Sequence, residues 1–265
     1  MVCQITVIKL EGYGTWTLTL GSDREYALQI LQSKIYADLQ ECFSAKNGLV
    51  FSNRFDEFIA VTNQISLDDH KEIYDRLSKK NESIKISMTI GTGKTPLEAD
   101  KKIHDIKKDT KNMIFPNIYG IQENYTVHEG HRTSEIENHC GLNDLKILHI
   151  DVNSSTSIVK NLSTYEITNL IMRLYLAISD SFVKEESLTF FLGGDNFMIV
   201  AKNDIQTKKI TEIVNFLISS TGIKLNCGIG NGSSARRAAE KATKSLDTIR
   251  DYRRGGKIIN VFESN

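Results

Sequence analysis

Net charge is the first thing this sequence lacks. Lys+Arg and Asp+Glu stand at 33 each, so no overall field argues for nucleic acid or an anionic membrane as partner, although a neutral balance leaves room for a local basic pocket. Also missing is any uninterrupted apolar run of the ~20 residues that span a bilayer. The opening MVCQITVIKLEGYG has no basic stretch leading into a long apolar one, so no leader or membrane segment is expected. Cysteine is sparse: Cys3, Cys42, Cys140 and Cys227 lie far apart with no C-x-x-C spacing. That pattern fits free thiols and a reducing, cytoplasmic setting, where a triplet such as Asn153-Ser154-Ser155 has no meaning as a glycan acceptor. What is present is ordinary for a globular chain: 265 residues, 40% apolar and 25% charged, enough for one large domain or two.

Two catalytic signatures are also absent. Gly91-Thr92-Gly93-Lys94-Thr95 looks like a phosphate loop, but that loop needs a glycine five residues before Gly93, where Met88 sits inside a strand pattern. Thr95-Pro96-Leu97-Glu98 reads instead as a helix start, with Thr95 as cap, Pro96 at the first helical position and Glu98 closing a capping box. His128, His131, His139 and Cys140 are legitimate zinc ligands, yet their spacing matches no established metal signature. A solvated, irregular segment is the better reading of them.

The positive signal is an internal duplication. Residues 5–10 (ITVIKL) end at Glu11, and residues 145–150 (LKILHI) end at Asp151. Residues 48–63 and 188–203 each read as two strands joined by a tight turn, one holding Asp56 and the other Asp195. Residues 84–90 and 223–229 are strands running into Gly-x-Gly, each followed by a helix. Between them, 25–45 and 164–183 carry apolar residues at a 3.6-residue period. The expectation is an α+β chain of two tandem ferredoxin-like βαββαβ units, each an antiparallel sheet with helices on one face. We place the units at 1–108 and 145–265, with 109–144 as a linker long enough to carry elements of its own.

Aligning the halves puts Glu11 opposite Asp151 and Asp56 opposite Asp195. Carboxylates on neighbouring strands about 4.8 Å apart can share one hard cation. The second half has Gly193-Gly194 before its turn aspartate, which lets a phosphate or ribose approach the backbone. The first half has Arg54-Phe55 there, which blocks that approach. The second half is therefore expected to hold a nucleotide site with Asp151 and Asp195 as metal ligands, and Glu11 with Asp56 as a further metal pair in a degenerate copy. His149 reads as a packed histidine. The basic residues of 235–252, including Arg236, Arg237, Lys241, Lys244 and Arg250, read mostly as a solvated face.

In chain order, ITVIKLEGYGTWT, LQSKIYADL, GLVFSNRFDEFIAVTN, ILHIDVN and FFLGGDNFM resemble the archaeal GTP cyclohydrolase III family over nearly the whole chain. The resemblance implies an enzyme that opens the imidazole ring of GTP and releases pyrophosphate, giving a formylamino-pyrimidine ribonucleotide monophosphate for flavin or deazaflavin synthesis. It implies a palm-type fold akin to GGDEF-type and class III nucleotidyl cyclases, with Mg²⁺, one ion or two, as cofactor; Mn²⁺ also suits oxygen ligands. It assigns Asp151 and Asp195 to catalysis and metal binding. Substrate contacts fall on Gly193, Gly194 and Asn196, on the backbone of Val152, Asn153 and Ser154, and on Arg250, at the place of a phosphate-binding lysine. By the same analogy a homo-oligomer is expected. Asn196, where GGDEF has Glu, removes a charge beside the metals and argues against a nucleotidyl cyclase. That activity and a non-catalytic GTP-binding regulator stand as the alternatives.

Overall fold

The computed structural model describes residues 3–106, 108–121, 145–153 and 162–264. His128, His131, His139, Cys140 and Ser154 lie outside the described residues. The chain divides into two compact units, residues 2–94 with 98–140, and residues 141–265 with 95–97.

The first unit runs β1 (Cys3–Glu11), α1 (Tyr13–Thr19), α2 (Glu25–Ala45), β2 (Leu49–Arg54), β3 (Glu57–Val61), α3 (Leu67–Lys80), β4 (Lys85–Gly93), α4 (Pro96–Asp105), β5 (Met113–Phe115) and β6 (Ile118–Tyr119). Its strands are ordered β2-β3-β1-β4-β6-β5. The second unit runs β7 (Leu145–Val152), α5 (Thr164–Val183), β8 (Leu188–Gly193), β9 (Asn196–Ala201), α6 (Thr207–Thr221), β10 (Leu225–Gly232), α7 (Ala235–Arg254) and β11 (Val261–Glu263), with order β8-β9-β7-β10-β11. Strands β2-β3-β1-β4 of the first sheet and β8-β9-β7-β10 of the second are antiparallel and follow the same ferredoxin-like order. The expected α+β class and its duplication are borne out.

Alternation along the first strand of each unit sends one set of side chains into a core. In the first unit Ile8 and Leu10 pack with Ile35 and Leu39 of α2 and with Ile73 and Leu77 of α3. In the second, Leu148, Ile150 and Val152 pack with Leu174 and Ile178 of α5 and with Ile210 and Val214 of α6. Each such side chain contributes about 1.5–3 kcal/mol by burial. Capping boxes at Ser66 and Ser163 start α3 and α5.

Residues 113–119, in the segment read as a linker long enough to carry elements of its own, add strands β5 and β6 beyond β4, because their short apolar runs pair with its open edge. One expectation changes: the helices do not all lie on one face. In each unit the helix after the last core strand covers the opposite face, where glycines let it approach closely. A Cβ on Gly228 would stand 2.1 Å from the Ala242 carbonyl oxygen, and one on Gly91 would stand 2.6 Å from that of Ala99. The supposed phosphate loop is the start of α4 at Pro96, where Glu98 accepts from the Lys94 amide at 2.7 Å. Among the described residues no helix is long and apolar enough to cross a membrane.

Candidate active site

Because Leu148, Ile150 and Val152 face the core, His149 and Asp151 face α7. Asp151 pairs with Asn196 on β9 and with Asn226 on β10. Its carboxylate is buried, at 5% exposure, and each oxygen has a charged or amide donor. Asn226 Nδ2 donates to Oδ1 at 2.6 Å, and Arg250 Nη2 donates to Oδ2 at 2.6 Å. Arg250 is held in turn by Asp247 at 2.8 Å, and Arg253 donates to the Asn226 side-chain oxygen. A buried carboxylate needs such compensation, since an unpaired charge there costs several kcal/mol. The Arg250 guanidinium, bonded to Asp151, is held above its ordinary pKa.

Asp195 sits at the tip of the β8–β9 hairpin. Its Oδ1 accepts from Asn196 Nδ2 at 2.9 Å, and its backbone oxygen accepts from the Val152 amide at 3.3 Å, which ties the turn to the end of β7. The turn depends on glycine. Gly193 has φ 98° and Gly194 φ 62°, in the left-handed region other residues avoid. A Cβ on Gly193 would meet nothing within 4 Å, and one on Gly194 only Asn196 Nδ2 at 3.9 Å. The backbone in front of Asp195 is therefore open to an incoming group.

His149 joins this cluster instead of packing in the core. Its Nε2 lies 3.2 Å from Asn196 Oδ1 and its Nδ1 lies 3.1 Å from Thr243 Oγ1. An amide oxygen only accepts, so Nε2 carries the proton and Nδ1 accepts from the Thr243 hydroxyl. Burial lowers the imidazole pKa, against the opposing pull of Asn196 and Asp151, so the ring is neutral at neutral pH.

Register corrects one alignment. The pair Arg54–Glu57 flanks the first turn as Gly193–Asn196 flanks the second, and Lys9 pairs with Glu57 as Asp151 pairs with Asn196. Asp56 does correspond to Asp195. Lys9, however, occupies the place of Asp151, and Glu11 corresponds to Asn153, two residues on. Glu11 is engaged elsewhere, ion-paired to Lys108 and accepting from Ser87 at 2.5 Å. Burial would raise its pKa, but the bonds from Lys108 and Ser87 outweigh that and lower it. The first unit thus lacks the strand aspartate that the second has at Asp151, opposite Asn196. Its turn also differs, since neither Arg54 nor Phe55 has a positive φ.

A second expectation is corrected at Val152 and Asn153. Their amides are bonded to the carbonyls of Asp195 and Lys224, the latter at 2.8 Å, so neither N–H is left to cradle phosphate. Among the described residues no three His, Cys, Asp or Glu side chains gather as an all-protein metal cage. Two carboxylates that leave further positions to nucleotide oxygens and water suit Mg²⁺, which is seldom caged by protein alone.

A family model for GTP cyclohydrolase III matches residues 2–262. The chain belongs to the GTP cyclohydrolase III family. Relatives named GTP cyclohydrolase III include that of Methanocaldococcus jannaschii, 34% identical over 97% of this chain and 90% of its own. That of Methanothermobacter thermautotrophicus is 32% identical over 93% and 94%, and that of Methanobrevibacter smithii 34% over 95% of each. A GGDEF-domain protein of known structure from M. capsulatus aligns with 47% of this chain and 87% of its own at 16% identity and a TM-score of 0.38. The family resemblance expected from the RFD and GGDN turns is borne out.

Sequence reasoning missed Asn226, Arg253 and Thr243, and misjudged His149. One signal was available for Asn226: with Lys224 it is one of two polar residues in the otherwise apolar run IKLNCGI of residues 223–229, and it is an uncharged amide in a strand interior.

Proposed function

We propose that this protein is a GTP ring-opening hydrolase, with its catalytic unit at 145–265 and a degenerate copy in the first unit. One water adds at C8 of the purine and the C8–N9 bond breaks, leaving a formyl group on N7. A second water displaces pyrophosphate at the α-phosphorus, so two waters and one GTP give the formylamino-pyrimidine ribonucleotide monophosphate and pyrophosphate. The observation that carries this reading is the buried Asp151 beside the glycine-opened Asp195 turn, in a chain that matches its family over residues 2–262.

In this reading Asp151 and Asp195 hold Mg²⁺ (one ion or two, with Mn²⁺ as a substitute). What such a cation supplies is neutralisation of triphosphate charge as pyrophosphate departs. Gly193 and Gly194 admit the nucleotide to the turn. Asn196 donates to Asp195 and accepts a hydrogen bond from His149 Nε2. Arg250 lies within reach of Asp151 and offers a planar fork suited to phosphate oxygens. Asn226 and Arg253 keep the Asp151 carboxylate aimed along the sheet face.

Purified protein incubated with GTP and Mg²⁺ is expected to release pyrophosphate and lose purine absorbance together. Pyrophosphate release with an intact purine would point to a nucleotidyl cyclase, and bound but unconverted GTP to a regulator. Asp195→Asn is expected to abolish turnover with an unchanged thermal melt; near-parental turnover in that variant overturns the metal assignment.

A further inference from the structure

The first unit has lost the metal aspartate, yet it keeps a cavity of about 460 Å³ beside the turn that corresponds to the catalytic one. That volume lies within the range of small-molecule sites. α1, the start of α2 and the turn between β2 and β3 form its walls. Phe55 takes the turn position of Gly194 and is 72% exposed at the rim of this cavity, so its ring is available to a ligand. Tyr13 lines the same cavity and is oriented by Gln32, whose Nε2 donates to the Tyr13 hydroxyl at 2.6 Å. Two aromatic rings at one opening make a platform for a planar base.

The polar groups select the base. Arg24 and Glu25 both line the cavity, next to each other at the start of α2. Arg24 spends one Nη1 bond on the Gly21 carbonyl at 2.9 Å and retains further donors. The Glu25 carboxylate has no hydrogen-bond or ion-pair partner among the described residues. Guanine offers acceptors at O6 and N7, which an arginine fork matches, and donors at N1 and the exocyclic N2, which a carboxylate accepts. Adenine reverses the pattern at its Watson–Crick edge, so the carboxylate would find no donor at N1. Lys9 stands where the second unit has Asp151, which deprives this unit of a carboxylate pair for a cation.

We propose that this cavity is a second, non-catalytic binding site for a guanine ribonucleotide, stacked on Phe55 and Tyr13 and read by Arg24 and Glu25. It is independent of the ring-opening assignment and needs no divalent cation. The test is equilibrium dialysis of the full chain in EDTA with GMP as probe and AMP as competitor. The expected result is saturable binding of one GMP per chain, with AMP at least tenfold weaker. Phe55→Ala and Glu25→Gln are each expected to weaken GMP at least tenfold, while Phe55→Ala leaves Mg²⁺-supported GTP turnover within about twofold of the parent. Absence of GMP binding, equal binding of AMP, or binding unmoved by both substitutions overturns the proposal. Phe55-dependent GMP binding in a protein that never opens GTP would retain this site and reject the catalytic reading.

Discussion

Replacing Asn226 by alanine tests whether Asp151 is held for a purpose. The amide is 2% exposed and donates at 2.6 Å to a buried carboxylate that is paired with Arg250, while its oxygen accepts from Arg253. A hydrogen bond to a charged group in such surroundings is worth about 1.5–3 kcal/mol, and removing one partner leaves the other unsatisfied. On the proposed function Asp151 holds a cation, and groups bonded to a metal ligand typically matter by about 10- to 100-fold in metal affinity or activity, which agrees with that energy. We therefore expect Asn226→Ala to raise the Mg²⁺ midpoint for pyrophosphate release from GTP by about 10-fold or more. Thermal stability should fall by a similar 1.5–3 kcal/mol, with the secondary structure retained. Arg253→Ala should move the midpoint in the same direction but less, because Asn226 stays. The measurement is a Mg²⁺ titration at saturating GTP, with a denaturant melt alongside. An unchanged midpoint in Asn226→Ala, with stability lost, would show that the Asn226–Asp151 bond serves folding alone and would refute the reasoning.

Three further outcomes follow from the geometry. Gly194→Ala forces a side chain into φ 62° at a cost of about 1 kcal/mol, but into open space; the fold should survive with KM for GTP raised severalfold, and an unchanged KM would mean that nucleotide does not approach this turn. Burial holds the His70 imidazole, bonded to Thr6 Oγ1 at 2.8 Å, down at about 4. The unfolded chain therefore takes up that proton first, so this contribution is complete above pH ~6.5 and lost as pH falls towards 4, about 2 kcal/mol of it by pH 5. Urea melts at pH 7 and pH 5 should show this loss in the parent and not in His70→Gln. Cys227 is fully buried with its thiol pKa raised by desolvation, so a thiol reagent should leave it unmodified in the native protein and modify it after urea unfolding.

Much of the scaffold was legible because local physics decides it. α2 and α5 begin and end where their amphipathic period does, at Glu25–Ala45 and Thr164–Val183. The hairpins declare themselves by turn residues between apolar runs, which is why Asp56 and Asp195 could be matched without coordinates. Glu11 could not be placed that way. A strand's last residue depends on how far its neighbours keep pairing, and β1 continues to Glu11 opposite Lys85 while its site position is Lys9. A slip of two residues keeps every side chain on its own face, so hydrophobic alternation gives no warning of it. Arg253 and Thr243 were invisible for a different reason: each reaches the site from α7, at a sequence separation that no window can span, and Asn226, although polar within an apolar strand, carried no local sign that Asp151 was its partner.

The same register explains why the duplication led to two unlike sites. Position for position, the second unit has Asp151, Asn226 and Gly194 where the first has Lys9, Ser87 and Phe55. These changes act together. Exchanging the strand aspartate for lysine removes the negative charge that would draw a cation, and a shorter serine then serves where an amide was needed to hold that aspartate. On the proposed function, a unit that holds no cation does not have to admit a triphosphate at its turn, and an aromatic ring can take the glycine position. Returning Lys9 to aspartate alone would therefore place a half-buried carboxylate with neither an Asn226 equivalent nor an Arg250 equivalent on α4, whose last turn carries Lys102 and His104. Lys9→Asp should destabilise the first unit and create no second centre of GTP turnover, and a doubling of turnover per chain in that variant would contradict this account of how the halves diverged.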